Sequence, residues 1–289
     1  MKKLLISSSL AAALAFGMSA VQAQGAEGGV APEGADTLER AQARGKLIAC
    51  ADPWNYPYSV RGGHPPGLDL EVIGEIVKRG GMELDVYWSD TSTRGGIGRA
   101  FRGSILKERC DVFMGISDSG DEDMLSARGP SGRLSFTDPY LGLGYVLMVQ
   151  NRAVGKKSLD ELKAANIKIG VQMSTPIDDY MFRTQIPREL YLDNRRVMQG
   201  MSTGQVDAAI VSLTAVAVAK REFPDAKFEM VPGYVPEPEH RWDLNMVVRS
   251  KDESLKAFLN KGIAELLNDG TVKNIVEKYG MPFYPPFSG

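Results

Sequence analysis

The chain has 289 residues, with 34 basic against 36 acidic side chains and a formal net charge of −2. No basic block or aromatic-interleaved basic stripe is present, so a nucleic-acid backbone has nothing to dock on. Only two histidines occur, His64 in a Gly/Pro loop and His240 in PEPEHRW; both read as surface residues, and neither a His-based metal centre nor a catalytic triad is indicated.

Met1, Lys2 and Lys3 precede an apolar run from Leu4 to Met18 and a small-residue stretch from Ser19 to Ala23, the three-part pattern of a secretory signal. The run is too short to cross a bilayer. Residues 1–23 are therefore set aside as a removable signal, no membrane span is expected after its removal, and an exported, periplasmic location follows. Residues 24–36, polar and rich in glycine, read as a disordered lead. Loss of Lys2 and Lys3 leaves 32 basic against 36 acidic side chains in roughly 266 residues, enough for one large or two smaller domains.

Lys46 to Cys50 reads as a strand after the Gly45 breaker, and Asp52 to Pro57 as a Pro-rich loop. From Leu68, the apolar residues Val72, Ile73, Ile76 and Val77 recur at helical spacing until Gly80-Gly81. Leu84, Val86 and Trp88 alternate as a strand, Ile97 to Ile105 mark a second helix, and Cys110 to Ile116 is an unbroken apolar run suited to a buried parallel strand. The order βαβαβ predicts a parallel sheet covered by helices. After a loop rich in Gly and acids, Tyr140 to Gln150 is a long strand, and Ser158 with Glu161 forms a capping box.

A second αβ series follows: a strand over 167–171, Thr175 as N-cap with Pro176 at the first helical position, a strand over 206–211 and a helix over 214–220. Asn245 to Arg249 is then a strand. Leu255, Phe258, Leu259, Ile263, Leu266 and Leu267 share a helix face until Gly270, and a last helix spans about 271–279. Two such series joined by long strands predict two lobes with a cleft where the strand carboxyl ends meet. Cys50 and Cys110 survive export and are expected to pair in an oxidising compartment; two buried free thiols are the competing arrangement.

The motif order resembles that of the family 3, amino-acid-type solute-binding proteins of bacterial periplasms. GKLIACAD, YPYS, GLDLEVIGEIVKRGG, LKERCDVFMGIS, FTDPYLGLGYVLMV, SLDELKAANIKIGVQMSTP, GQVDAAIV and the closing segment from Val247 to Gly280 follow in the family's order. The resemblance implies a type II periplasmic binding protein fold, α/β, each lobe a mainly parallel sheet flanked by helices. Residues 45–147 plus 246–289 would form lobe one and 150–243 lobe two, with hinges near 147–150 and 243–246. It also places Cys50 and Cys110 on neighbouring strands, compatible with a disulfide.

Two charged anchors of the family are missing. Where amino-acid receptors carry an Arg for the ligand carboxylate, this chain reads SDSGDEDM, residues 117–124; where they carry an Asp for the ligand ammonium, it has Ser212. An acidic segment repels a carboxylate, so a typical amino acid is a poor ligand. The candidate cleft or partner-binding residues are Asp52, Trp54, Tyr56, Tyr58, Ser117, Asp118, Ser174, Thr175 and Ser212. Asp118, Asp121, Glu122 and Asp123 lack the spacing of a calcium loop and read as a solvated acidic loop, so no metal is assigned. Arg183, Arg188, Arg195 and Arg196 read as a solvated basic patch.

CADPWNYPYS with the later CDVFMGIS is similar to a subgroup associated with periplasmic quinoprotein methanol dehydrogenases, the MxaJ/XoxJ type, and the paired cysteines belong to that similarity. It implies an accessory protein that binds and helps mature or activate a pyrroloquinoline-quinone-dependent methanol dehydrogenase. The alternative is a solute receptor for an ABC transporter, taking a small solute unlike a typical amino acid. No nucleophile with a matched base and no cofactor loop is found, so catalysis and a bound cofactor are not expected.

Overall fold

The computed structural model describes residues 32–117, 132–234 and 237–288. The expected signal, most of the lead, and Asp118 with the rest of the acidic run up to residue 124 lie outside the described residues. Among the described residues no helix is long and apolar enough to cross a membrane.

Ten strands form one curled sheet with helices on its faces, and the chain is a two-lobed α/β protein. In lobe one, β1 (Lys46–Ala51) lies between the parallel strands β4 (Glu83–Trp88) and β5 (Val112–Ser117). Two strands, β2 (Trp54–Asn55) and β3 (Ser59–Val60), make a small hairpin within the segment read as a plain loop. Helices α1 (Thr37–Ala43), α2 (Leu68–Arg79) and α3 (Gly96–Gly103) belong to this lobe. The α2 stripe of Leu68, Val72, Ile73, Ile76 and Val77 is buried, which is what its helical spacing dictates.

Strand β6 (Leu134–Phe136) precedes the long β7 (Leu141–Val149). In lobe two, β8 (Ile169–Gln172), β9 (Arg188–Tyr191) and β10 (Ala208–Ser212) are parallel, with β9 at the edge. Its helices are α4 (Leu159–Ala164), α5 (Pro176–Arg183), α6 (Asn194–Ser202) and α7 (Thr214–Glu222). Strand β11 (Glu229–Met230) pairs with β7, and β12 (Arg241–Arg249) leads back to lobe one, where α8 (Glu253–Asn268) and α9 (Thr271–Lys278) close the fold. The Ser158 cap is half of the expected box: Ser158 accepts from the Glu161 N–H, while the Glu161 carboxylate accepts from the Lys157 N–H rather than from that of Ser158.

The lobes are joined where β12 residues Arg241–Leu244 run antiparallel to β7 residues Leu141–Gly144. Beyond this crossing β7 turns its edge to β10 and β12 turns to β5 and β6. Residues 283–288 lie across the junction. Gly142 donates to the Tyr284 carbonyl, and the Asp243 carboxylate accepts the N–H groups of Phe287 and Ser288 at 2.8 and 2.9 Å. A side chain at Gly142 would meet the Pro285 carbonyl at 2.5 Å, so only glycine admits this approach.

Cys50 and Cys110 are disulfide-bonded with Cα atoms 5.6 Å apart, inside an apolar cluster with Phe101, Ile105, Phe113 and Val247. Beside it, the buried Arg249 guanidinium donates to the carbonyls of Ile105 and Cys110 at 3.0 and 2.8 Å. Its Nε lies 2.7 Å from an Asp252 oxygen, an ionic contact without hydrogen-bond alignment. Thr37 donates to Asp252 at 2.8 Å, which draws α1 into the same buried network. The sequence carried a signal for α1 in Asp36-x-x-Glu39, and both halves of that capping box form.

Candidate functional site

The carboxyl ends of β1, β5, β8 and β10 carry the residues singled out from the sequence. Asp52 follows β1, and its carboxylate is committed within lobe one. One oxygen accepts from the Trp54 N–H at 2.8 Å; the other accepts from the Thr91 N–H at 2.7 Å and the Thr91 hydroxyl at 2.5 Å. Asp52 therefore ties the aromatic loop to the loop after β4.

The three aromatics of the loop have different environments. Trp54 is 72% exposed. Tyr56 packs near Tyr279, with ring centroids 6.1 Å apart, and lies under the Arg221 guanidinium of α7, 4.4 Å from the ring centroid. The Tyr58 hydroxyl is hydrogen-bonded to Thr214 at the start of α7; burial pushes its phenol well above the ordinary range, against the effect of that bond. Tyr56 and Tyr58 thus reach from lobe one onto lobe two.

On lobe two the N-terminus of α5 is occupied by the chain itself. Thr175 caps the helix, accepting from the Asp178 N–H at 3.3 Å. One Asp178 oxygen accepts from the Ser174 N–H at 2.9 Å, and the other from Arg188 Nε at 2.6 Å. A side-chain carboxylate therefore sits on the amide and guanidinium that could hold a ligand's carboxylate. Ser174, Thr175, Asp178, Asp179, Phe182 and Arg188 line an open hollow of about 610 Å³. Ser212 is nearly buried, its hydroxyl 3.1 Å from that of Thr214, so Ser212, Thr214 and Tyr58 form one hydrogen-bonded chain between the lobes.

Behind Tyr58 lies a buried acid that the sequence reading passed over. Asp69, 1% exposed, accepts a 2.6 Å bond from the Tyr140 hydroxyl. Burial pushes its carboxyl up to about 7, opposed by that bond. Gly115, at φ +69°, makes room for it, since a Cβ there would lie 2.3 Å from an Asp69 oxygen. The available signal was an acid on the buried α2 stripe, three, four and seven residues before Val72, Ile73 and Ile76.

The structure brings Tyr58 and Ser212 together and keeps Asp52 and Ser174–Thr175 in local networks. Ser117, at the end of β5, is engaged with a neighbour. Thr214, Asp178 and Arg221 are the interlobe and anchor-filling residues not identified beforehand. The four arginines of the expected solvated patch each face an acid, Arg183 with Asp179, Arg188 with Asp178, Arg195 with Glu222 and Arg196 with Asp193. His240, expected at the surface, is buried because Tyr145 and Tyr180 pack edge-on against its ring; His64 is exposed as expected.

Residues 47–282 match the model of the bacterial extracellular solute-binding proteins, family 3. An L-cystine-binding protein of Escherichia coli is 25% identical over 247 residues, covering 84% of this chain and 85% of that protein. A probable amino-acid-binding protein of Bacillus subtilis is 25% identical over 232 residues, 78% of this chain and 80% of the other. The crystal structure of the L-cystine solute receptor of Neisseria gonorrhoeae, unliganded and open, superposes with a TM-score of 0.67 at 17% identity, covering 85% of this chain and 97% of the receptor.

Proposed function

The chain belongs to the bacterial extracellular solute-binding proteins of family 3, and from that premise we propose a periplasmic accessory protein for a pyrroloquinoline-quinone-dependent methanol dehydrogenase. It binds the dehydrogenase and helps it mature or become active, using a receptor fold that does not carry a free amino acid. The observation that supports this reading is the Asp178 carboxylate on the Ser174 amide and Arg188. A ligand carboxylate arriving there would have to displace an internal ion pair, and the ammonium side offers the Ser212 hydroxyl instead of a carboxylate.

The choice of partner rests on the likeness of CADPWNYPYS and CDVFMGIS to the dehydrogenase-associated subgroup. The exposed Trp54, on a loop braced by Asp52, is a rigid aromatic suited to a protein contact. Immobilised mature protein with its disulfide intact should retain a quinoprotein dehydrogenase from periplasmic extract at low salt, and Trp54→Ala should weaken that capture.

A second reading, a solute receptor, is favoured by the relatives that bind L-cystine. Calorimetry with L-cystine separates the two. Absence of heat together with dehydrogenase capture supports the accessory role; micromolar binding of cystine with no protein captured overturns it.

A further inference from the structure

A second cavity, of about 340 Å³, lies on the flank of lobe two between the start of α4, α5 and the turn leading into β12. It shares no lining residue with the hollow at Ser174. Its walls include Tyr180, Tyr234 and His240, with Asp160, Glu237 and Lys157 at the same opening. The volume falls at the lower end of the range for small-molecule sites.

The polar tips of this cavity have no protein partner among the described residues. His240 is 4% exposed, and its ring meets Tyr180 edge-on with centroids 5.4 Å apart. Neither of its ring nitrogens, and neither the Tyr180 nor the Tyr234 hydroxyl, makes a hydrogen bond among the described residues. The imidazole and the two half-buried phenols open onto one cavity without a protein partner, which leaves their polar tips available to an occupant. Burial holds the imidazole below its ordinary range, although Glu239 and Glu237 act the other way and Arg183 adds to the lowering. At neutral pH the ring is therefore uncharged and offers one nitrogen as an acceptor.

The charge of the lining selects the occupant. Two carboxylates against one lysine leave one net negative charge with His240 neutral. Aromatic faces attract a cation, and the imidazole and carboxylates accept N–H donors. Among the described residues no group of His, Cys, Asp and Glu is arranged to hold a metal ion, which leaves an organic cation. We propose that this lateral cavity binds a small primary alkylammonium ion, its N–H groups on Glu237 and the His240 imidazole and its alkyl part against Tyr180 and Tyr234. The site is independent of the proposed dehydrogenase role and stands whichever way that test falls.

The test uses n-butylammonium and its uncharged analogue n-butanol, titrated into the mature protein by calorimetry and by proton NMR of the histidine rings. The chain has two histidines, so a His64→Gln variant assigns the signals. Butylammonium should bind at least tenfold more tightly than butanol and shift the His240 signals alone. Glu237→Gln and Tyr234→Leu, with unchanged circular dichroism, should each weaken binding at least fivefold. Equal binding of the alcohol, movement of the His64 signals instead, or retention of full affinity in both variants overturns the assignment. So does absence of binding at millimolar concentration in the unaltered protein, whose fold is not in question.

Discussion

Lobe one carries, besides surface pairs such as Lys78–Glu75 and Lys273–Glu277, one deeply buried ion pair, whereas among the described residues lobe two has none buried to that depth. In lobe one the Arg249–Asp252 pair is 6% and 3% exposed and sits beside the disulfide. In lobe two the pairs Lys168–Glu189, Arg183–Asp179 and Arg195–Glu222 face solvent, where such contacts contribute little. Lobe two also exposes Met173, Phe182, Leu190 and Leu192 around its edge strand. The expectation that follows is that lobe one behaves as the more rigid frame and lobe two, with its exposed apolar edge, as the more adaptable half.

The contrast can be broken most sharply at Arg249. Arg249→Ala leaves Asp252 buried without its cation and takes one donor from each of the Ile105 and Cys110 carbonyls, which should cost about 3–5 kcal/mol in urea unfolding. Hydrogen exchange should then rise in lobe one before lobe two. Replacing both cysteines with serine reopens a loop of 60 residues and should cost about 3 kcal/mol, read from the same unfolding curves. An unchanged midpoint for either variant would remove the basis for calling lobe one the frame.

Asp69 sharpens the comparison through pH. Its carboxyl titrates near 7 in the fold against an ordinary value near 3.8, so the folded state binds the proton more tightly. Its contribution is fully present below about pH 4 and is lost as pH rises through 7, an effect on the order of 2 kcal/mol after relaxation around the buried charge. The stability of Asp69→Asn relative to the unaltered protein should therefore rise between pH 4.5 and 7.5, measured by denaturant midpoints; a constant difference would mean that Asp69 is ionised throughout. The smallest effect is expected in lobe two, where Arg195→Ala should change stability by less than about 1 kcal/mol and by less still at high salt.

Much of the fold was legible in the sequence because apolar periodicity and caps are local signals. The α2 stripe, the buried run of β5, the Thr175-Pro176 start of α5 and the Gly270 stop all act within a few residues. The β9 strand left little trace because it is short, at a sheet edge and half polar. At the candidate site, sequence comparison exposed what was absent, the charged anchors at 117–124 and 212. It could not show that Asp178 occupies the Ser174 amide and Arg188, or that Thr214 lies against Ser212 and Tyr58, since that depends on which loops the sheet brings together. His240 was misread for the same reason: its burial comes from Tyr145 and Tyr180, 95 and 60 residues earlier in the chain.

Residues 283–288 are synthesised after both crossing strands on which they rest, after β7 by about 140 residues and after β12 by about 40. A chain exported from its N-terminus therefore presents both lobes to the new compartment before the Asp243 carboxylate receives the Phe287 and Ser288 amides. The tail's share in setting the lobes is therefore the last to form, laid over the β7–β12 pairing that already joins them.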